Sequence, residues 1–141
     1  MFSTEGFRIA KAKVKDRAGF PDYVEYLKGL GISYYESFLE YGEAHYYSKN
    51  GFKSSIGRRY VGIQVAETSD SKQFLVHLKE FDEAKFDYLT FCNHCANCGV
   101  YKWIVSIDDM TTTYYNKMGE VVYKENIPAT KTSKKLVHDR E

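Results

Sequence analysis

Proline, dispersed cysteine and long apolar runs are all scarce in this sequence. Two prolines in 141 residues exclude collagen-like and proline-rich linker architectures. The three cysteines are confined to positions 92–98, which excludes a disulfide framework, because such a framework needs an even set spread along the chain. No apolar run approaches the roughly 18 residues of a membrane-spanning helix, so we expect no membrane partner.

Neither sign of charge dominates the sequence. Twenty Lys and Arg stand against nineteen Asp and Glu, which gives a net charge of +1. This balance excludes a strongly basic nucleic-acid coat or an acidic tail as the main function. The basic side of the first predicted helix and the C-terminal lysines are more typical of solvated faces, and nucleic acid is not the expected partner.

The N-terminal segment is not expected to be a secretory signal. Residues 1–15 alternate apolar and charged side chains and contain no continuous hydrophobic stretch. An odd number of cysteines also favours a reducing interior. We therefore expect the protein in the cytoplasm.

The periodicity of apolar residues predicts an α+β fold, with helices packed on an antiparallel sheet and a C-terminal three-stranded meander. Residues 1–128 are expected to form a single domain, and 129–141 a flexible basic tail. A first helix ends at Gly19, and Trp103 is expected to be buried against the last helix. The remaining predicted helices cover 20–30, 69–80 and 86–98, and the predicted strands cover 32–39, 44–48, 52–55, 60–65, 100–107, 111–115 and 121–127.

Aromatic residues are abundant, at 16% of the chain with thirteen Tyr and nine Phe. Three tyrosine doublets, 34–35, 46–47 and 114–115, fall in predicted strands, where each doublet sends one ring to each face of the sheet. One set can build the core, and the other can form an aromatic patch or pocket that stacks on planar ligands. The alternative is that tyrosine serves only as a good strand former.

The cysteine cluster is the sharpest local signal. Cys92 and Cys95 have the spacing of a zinc half-site, but a second distant pair is lacking. On a helix, Cys92, Cys95 and Cys98 span an arc of about 120°, and His94 points elsewhere. The favoured interpretation is that Cys92 and Cys95 are buried core thiols, slow to react, with Cys98 the most accessible of the three.

Two other interpretations of these cysteines stay open. One is a metal-binding module whose remaining ligands come from His45, His77 or a second subunit. The other is a Cys-dependent enzyme or redox protein centred on Cys92 and Cys95.

Catalytic motifs are missing from the sequence. There is no Gly-x-Ser-x-Gly elbow and no glycine-rich phosphate loop. Adjacent carboxylates, at 82–83 and 108–109, would point to opposite faces of a strand and are typical of solvated turns. We assign no catalytic residue, metal or cofactor, and we lean against an enzyme.

The leading hypothesis is therefore a binding protein whose partner is an unidentified small molecule or protein, with homo-oligomer formation left open. Its ligand would meet the tyrosine-rich sheet face or a pocket beside the cysteine helix. The predicted ligand-binding residues are Tyr35, Tyr46, Arg58, Tyr115, Cys92 and Cys95.

A pattern of residues extends over most of the chain, from about 7 to 128, and is most specific over 87–103. It comprises Phe20-Pro21, Tyr23, Leu27, Leu30-Gly31, Tyr35-Glu36, Tyr46, Gly51-Phe52, Ala66-Glu67, Asp87-Tyr88-Leu89-Thr90-Phe91-Cys92, Cys95-Ala96, Gly99-Val100, Lys102-Trp103, Thr113-Tyr114-Tyr115 and Gly119. In these positions the chain resembles a family of small uncharacterised bacterial and prophage-encoded proteins, some labelled phage envelope protein. The resemblance implies a compact α+β domain and a bacterial or prophage origin, and no reaction. Two cysteines recur in that family, and Cys98 departs from the pattern.

Overall fold

The computed structural model describes residues 19–60 and 62–128. This part of the chain holds three helices on a six-stranded antiparallel sheet, which confirms the predicted α+β class. None of its helices is both long and apolar enough to cross a bilayer. The predicted first helix and C-terminal tail lie outside the described residues. In chain order the elements are α1 (Phe20–Gly29), β1 (Ile32–Phe38), β2 (Ala44–Ser48), β3 (Lys53–Ile56), α2 (Ser71–Asp82), α3 (Tyr88–Asn97), β4 (Lys102–Ser106), β5 (Thr111–Tyr115) and β6 (Val121–Asn126).

The sheet consists of two antiparallel meanders joined at its centre. Its strand order is β3-β2-β1-β4-β5-β6, so β1 pairs with β4 although the two helices α2 and α3 separate them in sequence. Across that central pair, Tyr35 faces Val105 and Ser37 faces Trp103. The C-terminal meander β4-β5-β6 is as predicted.

Side-chain caps start the second and third helices. The Asp70 carboxylate accepts a hydrogen bond from the backbone N–H of Gln73 at 3.0 Å, and Asp87 accepts one from Thr90 at 2.8 Å. Each cap satisfies a backbone donor that has no partner within its helix. The first of these helices therefore begins two residues after its predicted start at 69, and ends two residues beyond its predicted end at 80.

All three helices contribute to a core on one face of the sheet, here called the inner face. Tyr23 of α1 meets Tyr35 edge-on, with ring centroids 6.3 Å apart. Phe74 of α2 lies 4.8 Å from Tyr114 of β5. Trp103 is 7% exposed, which confirms its predicted burial, and its ring meets Tyr114 of the neighbouring strand at 5.9 Å.

The tyrosine doublets divide between the two faces as predicted. Tyr35 is 1% exposed on the inner face, whereas its neighbour Tyr34 is 38% exposed on the outer face. Tyr35 stacks on Tyr46 at 4.8 Å, and Tyr34 stacks on Tyr47 at 4.5 Å. Each face of the sheet thus carries its own stacked pair, and the inner pair lies beneath α1.

The strand predicted over 60–65 is wrong. Tyr60 and residues 62–65 form a loop, and its contacts are with the turn after β1 instead of a strand. The Arg59 N–H donates to the Tyr41 carbonyl at 2.8 Å, and the Ile63 N–H donates to the Glu40 carbonyl at 2.7 Å. Ile63 and Val65 are more buried than Gly62 and Gln64, so the apolar residues alternate with polar or small ones although the backbone forms no strand.

Candidate functional site

Buried phenol groups meet where α1 crosses the inner face of the sheet. The hydroxyls of Tyr23 and Tyr46 share a hydrogen bond of 2.7 Å. Tyr35 packs beside both rings, and all three side chains are at most 4% exposed. Hydroxyl groups are costly to bury without hydrogen bonds. A polar contact is therefore built into the centre of an aromatic core.

The third helix brings two thiols and a further tyrosine to this place. Tyr88 and Cys92 are four residues apart on α3 and so share one face of the helix. Cys92 and Cys95 are fully buried. A hydrogen bond joins the Cys92 thiol to the hydroxyl of Tyr60, which also donates to the Leu39 carbonyl.

Arg59 adds a positive charge at the solvent side of the phenols. Its Nε–H donates to the carbonyl of Gly42, and its guanidinium carbon lies 5.9 Å from the ring centre of Tyr88. A side-chain hydrogen bond also joins Arg59 to the Tyr88 hydroxyl. Arg59 is exposed, and Tyr60 and Tyr88 are half-buried, so this side of the site reaches water. We call the whole set the tyrosine–arginine cluster: Tyr23, Tyr35, Tyr46, Arg59, Tyr60, Tyr88, Cys92 and Cys95.

Two glycines allow the loop after β3 to pack directly on the turn after β1. Gly42 has a φ of +73°, and a Cβ there would lie 2.6 Å from Cε2 of Tyr60. A Cβ on Gly62 would lie 2.7 Å from Cε1 of Tyr41. In each segment a glycine therefore packs against a tyrosine ring of the other segment. This reciprocal packing fixes the backbone on which Arg59 and Tyr60 sit.

Burial keeps the phenols of the cluster neutral. Desolvation raises the pKa of Tyr23, Tyr46, Tyr60 and Tyr88 above the usual value of 10. The positive charge of Arg59 opposes this increase in the pKa of each of the four. Burial is the larger effect. Near neutral pH the site therefore presents hydroxyl donors and acceptors around one permanent cation.

A family model described as "Protein of unknown function (DUF1398)" matches residues 8–126. The chain belongs to this family. The matched range contains the whole tyrosine–arginine cluster and every helix and strand given above. No curated protein matches the sequence. The resemblance found in the sequence is therefore confirmed at the level of an uncharacterised family.

Four of the six residues predicted to bind a ligand lie together in this DUF1398 chain. They are Tyr35 and Tyr46 on the inner face of the sheet and Cys92 and Cys95 on α3, all at most 1% exposed. Arg58 is not with them, because its guanidinium stacks over the ring of Tyr41 at 4.1 Å and the residue is exposed.

Tyr115 is also separate from the cluster. It lies on the outer face of the sheet, where the Lys102 ammonium is 5.6 Å from its ring centre. Its neighbour Tyr114 takes the inner face instead, at 2% exposure. The alternation of side chains along β5 thus places Tyr115 on the opposite side of the sheet from Tyr35.

The solvent side of the cluster was not predicted from the sequence. Arg59, Tyr60 and Tyr88 were not chosen as site residues, and neither was the deeper Tyr23. One available signal was the spacing of Tyr88 and Cys92, four residues apart on a predicted helix. For Arg59 the sequence held no comparable signal. Arg58 and Arg59 are adjacent in a loop, and no periodic pattern indicates which of the two contacts the cluster.

The described residues give the metal-binding alternative no support. Within 19–60 and 62–128, no group of three or more His, Cys, Asp or Glu side chains is arranged to hold a metal ion. The cysteines at 92, 95 and 98 are all thiols. His77 stacks on His94 with centroids 4.0 Å apart, and His45 hydrogen-bonds Ser55 at 2.8 Å.

Proposed function

We propose that this DUF1398 protein is a small binding protein that holds a small molecule at the tyrosine–arginine cluster. Arg59 is the observation that carries the proposal. It is a cation set among tyrosine hydroxyls, fixed by a carbonyl of one turn and by a phenol of α3. Clusters of buried polar groups next to a charge are typical of ligand sites.

The setting of the protein is part of the same proposal. We place it inside a bacterial cell, with a bacterial or prophage origin. Three cysteines present as thiols suit a reducing compartment, and membership of an uncharacterised family supports the resemblance to such proteins. The phage envelope label names no chemistry that the cluster performs.

The contacts of the described histidines favour binding over Cys-dependent catalysis. A nucleophilic thiol needs a base beside it. One polar neighbour of Cys92 is the hydroxyl of Tyr60, a group that burial makes harder to ionise. His45, His77 and His94 have their ring contacts elsewhere.

The test is a small-molecule screen by thermal shift on the full chain, with two matched tyrosine variants. Tyr60→Phe removes a hydroxyl from the cluster, and Tyr115→Phe removes one from the outer face. Compounds that raise the melting temperature of the parent should act more weakly on Tyr60→Phe and equally on Tyr115→Phe. A screen in which every active compound keeps its full effect on Tyr60→Phe and loses it on Tyr115→Phe would reject the proposed site.

A further inference from the structure

Arg59 differs from Lys102 and Lys117 in its electrostatic neighbours. Lys102 pairs with Glu36 at 3.1 Å, and Lys117 pairs with Glu67 at 2.7 Å. Among the described residues, the groups that act on Arg59 are instead phenols, those of Tyr88, Tyr46 and Tyr60. A guanidinium placed among neutral groups keeps its attraction for an anion.

Arg59 has more hydrogen-bond donors than its contacts with the described residues use. A guanidinium carries five N–H donors in a planar fork. Nε–H is taken by the Gly42 carbonyl, and the Tyr88 hydroxyl accepts one further bond. The described residues thus account for two of the five donors, and the pair of N–H groups at the end of a guanidinium fork matches the two oxygens of a carboxylate.

The single charge of Arg59 and the aromatic rings near it indicate which class of anion fits the site. One guanidinium balances one negative charge, which a carboxylate carries and a phosphate monoester exceeds near neutral pH. The aromatic residues near Arg59 include Tyr88 and Tyr60, both half-buried. Aromatic rings bind planar or apolar bodies well. Tyr88, which accepts from Arg59, also has a phenolic proton to donate.

We propose that the ligand of the tyrosine–arginine cluster is a small carboxylate with an apolar or aromatic body, held end-on by Arg59 and flanked by Tyr60 and Tyr88. This inference rests on the proposed function and adds the ligand's chemical class. The loop that carries Arg59 is already fixed by its backbone bonds to the turn after β1. Little ordering is then needed on binding, which favours affinity.

The first experiment compares matched probes by isothermal titration on the unmodified full chain. Benzoate should bind, and benzamide, of the same shape without the charge, should bind at least 10-fold more weakly. Inorganic phosphate should also bind more weakly than benzoate. Equal binding of benzamide and benzoate would overturn the carboxylate inference while leaving small-molecule binding intact. Stronger binding of phosphate, or no binding of benzoate at millimolar concentration, would overturn it as well.

The second experiment uses the two adjacent arginines as a matched pair. Arg59→Gln should weaken benzoate roughly 10- to 100-fold, the range for losing a charge-assisted pair of hydrogen bonds. Arg58→Gln removes the same charge from the neighbouring residue and should leave affinity within about twofold. Arg59→Lys should recover only part of the loss, since an ammonium lacks the fork. Equal losses from both Gln variants would mean that net charge alone attracts benzoate, which contradicts the inference.

Discussion

Gly42 lies against the ring of Tyr60 so closely that a Cβ at position 42 would fall 2.6 Å from Cε2 of that ring. The contact joins the turn after β1 to the loop after β3. The same turn supplies the Gly42 carbonyl to Arg59 and the Leu39 carbonyl to Tyr60. A glycine 17 residues away in sequence from Arg59 therefore helps to position the charged group of the candidate site.

Gly42→Ala should destabilise the protein more than Gly51→Ala does. Both glycines have positive φ, +73° and +85°, so alanine costs about 1 to 2 kcal/mol in backbone strain at either position. Only at Gly42 does the new methyl group also meet a ring, whereas Gly51 has open space around it. Overpacking of this kind adds about 1 to 3 kcal/mol. Urea denaturation of both variants measures the difference.

The same two glycine variants also test the candidate site. If the clash displaces Tyr60, Gly42→Ala should also weaken benzoate binding, while Gly51→Ala should not. Equal losses of stability in the two variants would show that the ring of Tyr60 yields without cost and does not secure the loop.

The regular elements of this fold could be predicted from sequence because their signals are local. Asp70 and Asp87 mark helix starts, and an Asn-Gly turn at 50–51 separates β2 from β3. The pairing of β1 with β4 could not be predicted in this way, because the two strands come together only when the helices between them pack. The loop at 60–65 was mistaken for a strand for a related reason, since its partner is a turn 18 to 23 residues earlier.

The thiols should react slowly, with Cys98 first. Cys92 and Cys95 are 0% exposed and Cys98 is 3% exposed, which agrees with the order expected from sequence. Burial and the nearby Asp70 carboxylate both raise the pKa of Cys98, so little reactive thiolate forms at neutral pH. Timed alkylation at pH 7 with peptide mapping should show Cys98 labelled before the other two.

Asp70→Asn provides the control for that assignment. Asparagine retains the ability to cap α2 but removes the negative charge, so the pKa of Cys98 should fall and its labelling should accelerate. The rates at Cys92 and Cys95 should not change. Faster labelling of either of these two than of Cys98 in the native protein would contradict their burial.

Half of the residues of the candidate site could be predicted from the sequence, because strand and helix geometry decides which residues share a face. The rule that alternate strand residues share a face identifies Tyr35 as an inner residue once its partner Tyr34 is outward. The same rule does not say which of the two faces the helices will cover, so Tyr115 was grouped with residues on the other side. Helix periodicity grouped Cys92 with Cys95 correctly, because both lie on the apolar arc of α3.

Stability should fall at alkaline pH because of the cluster. Burial raises the pKa of Tyr46, Tyr60 and Tyr88 above the unfolded value of about 10. Below pH 10 these phenols are neutral in both states and their stabilising contribution is complete. As pH rises above 10, the unfolded chain loses protons first and stability decreases. Melting temperatures from pH 8 to 11.5 should decline less steeply for Tyr88→Phe than for Tyr115→Phe.

The stacked histidines between α2 and α3 should make the fold sensitive to acid. The rings of His77 and His94 lie 4.0 Å apart and nearly parallel, with Phe86 4.9 Å from His94. Burial lowers the pKa of His77, the neighbouring His94 lowers it further, and Glu80 on the same helix opposes both. A positive charge on one ring of a face-to-face pair also repels a proton from the other.

Acid should lower the stability of the fold, because the pKa of His77 is lower in the folded than in the unfolded chain. Above the unfolded value of about 6.5, His77 is neutral in both states and the fold keeps its full stability. As pH falls through 6.5 and then through the lower folded pKa, the unfolded chain binds protons first and stability is lost.

Urea midpoints between pH 7.5 and 5 should therefore fall in the parent and fall less in His77→Phe, which keeps a ring against His94 without its charge. His45→Phe, on the outer face, is the matched control and should follow the parent. A parent whose midpoint rises on acidification would show that the α2–α3 contact tolerates a protonated His77.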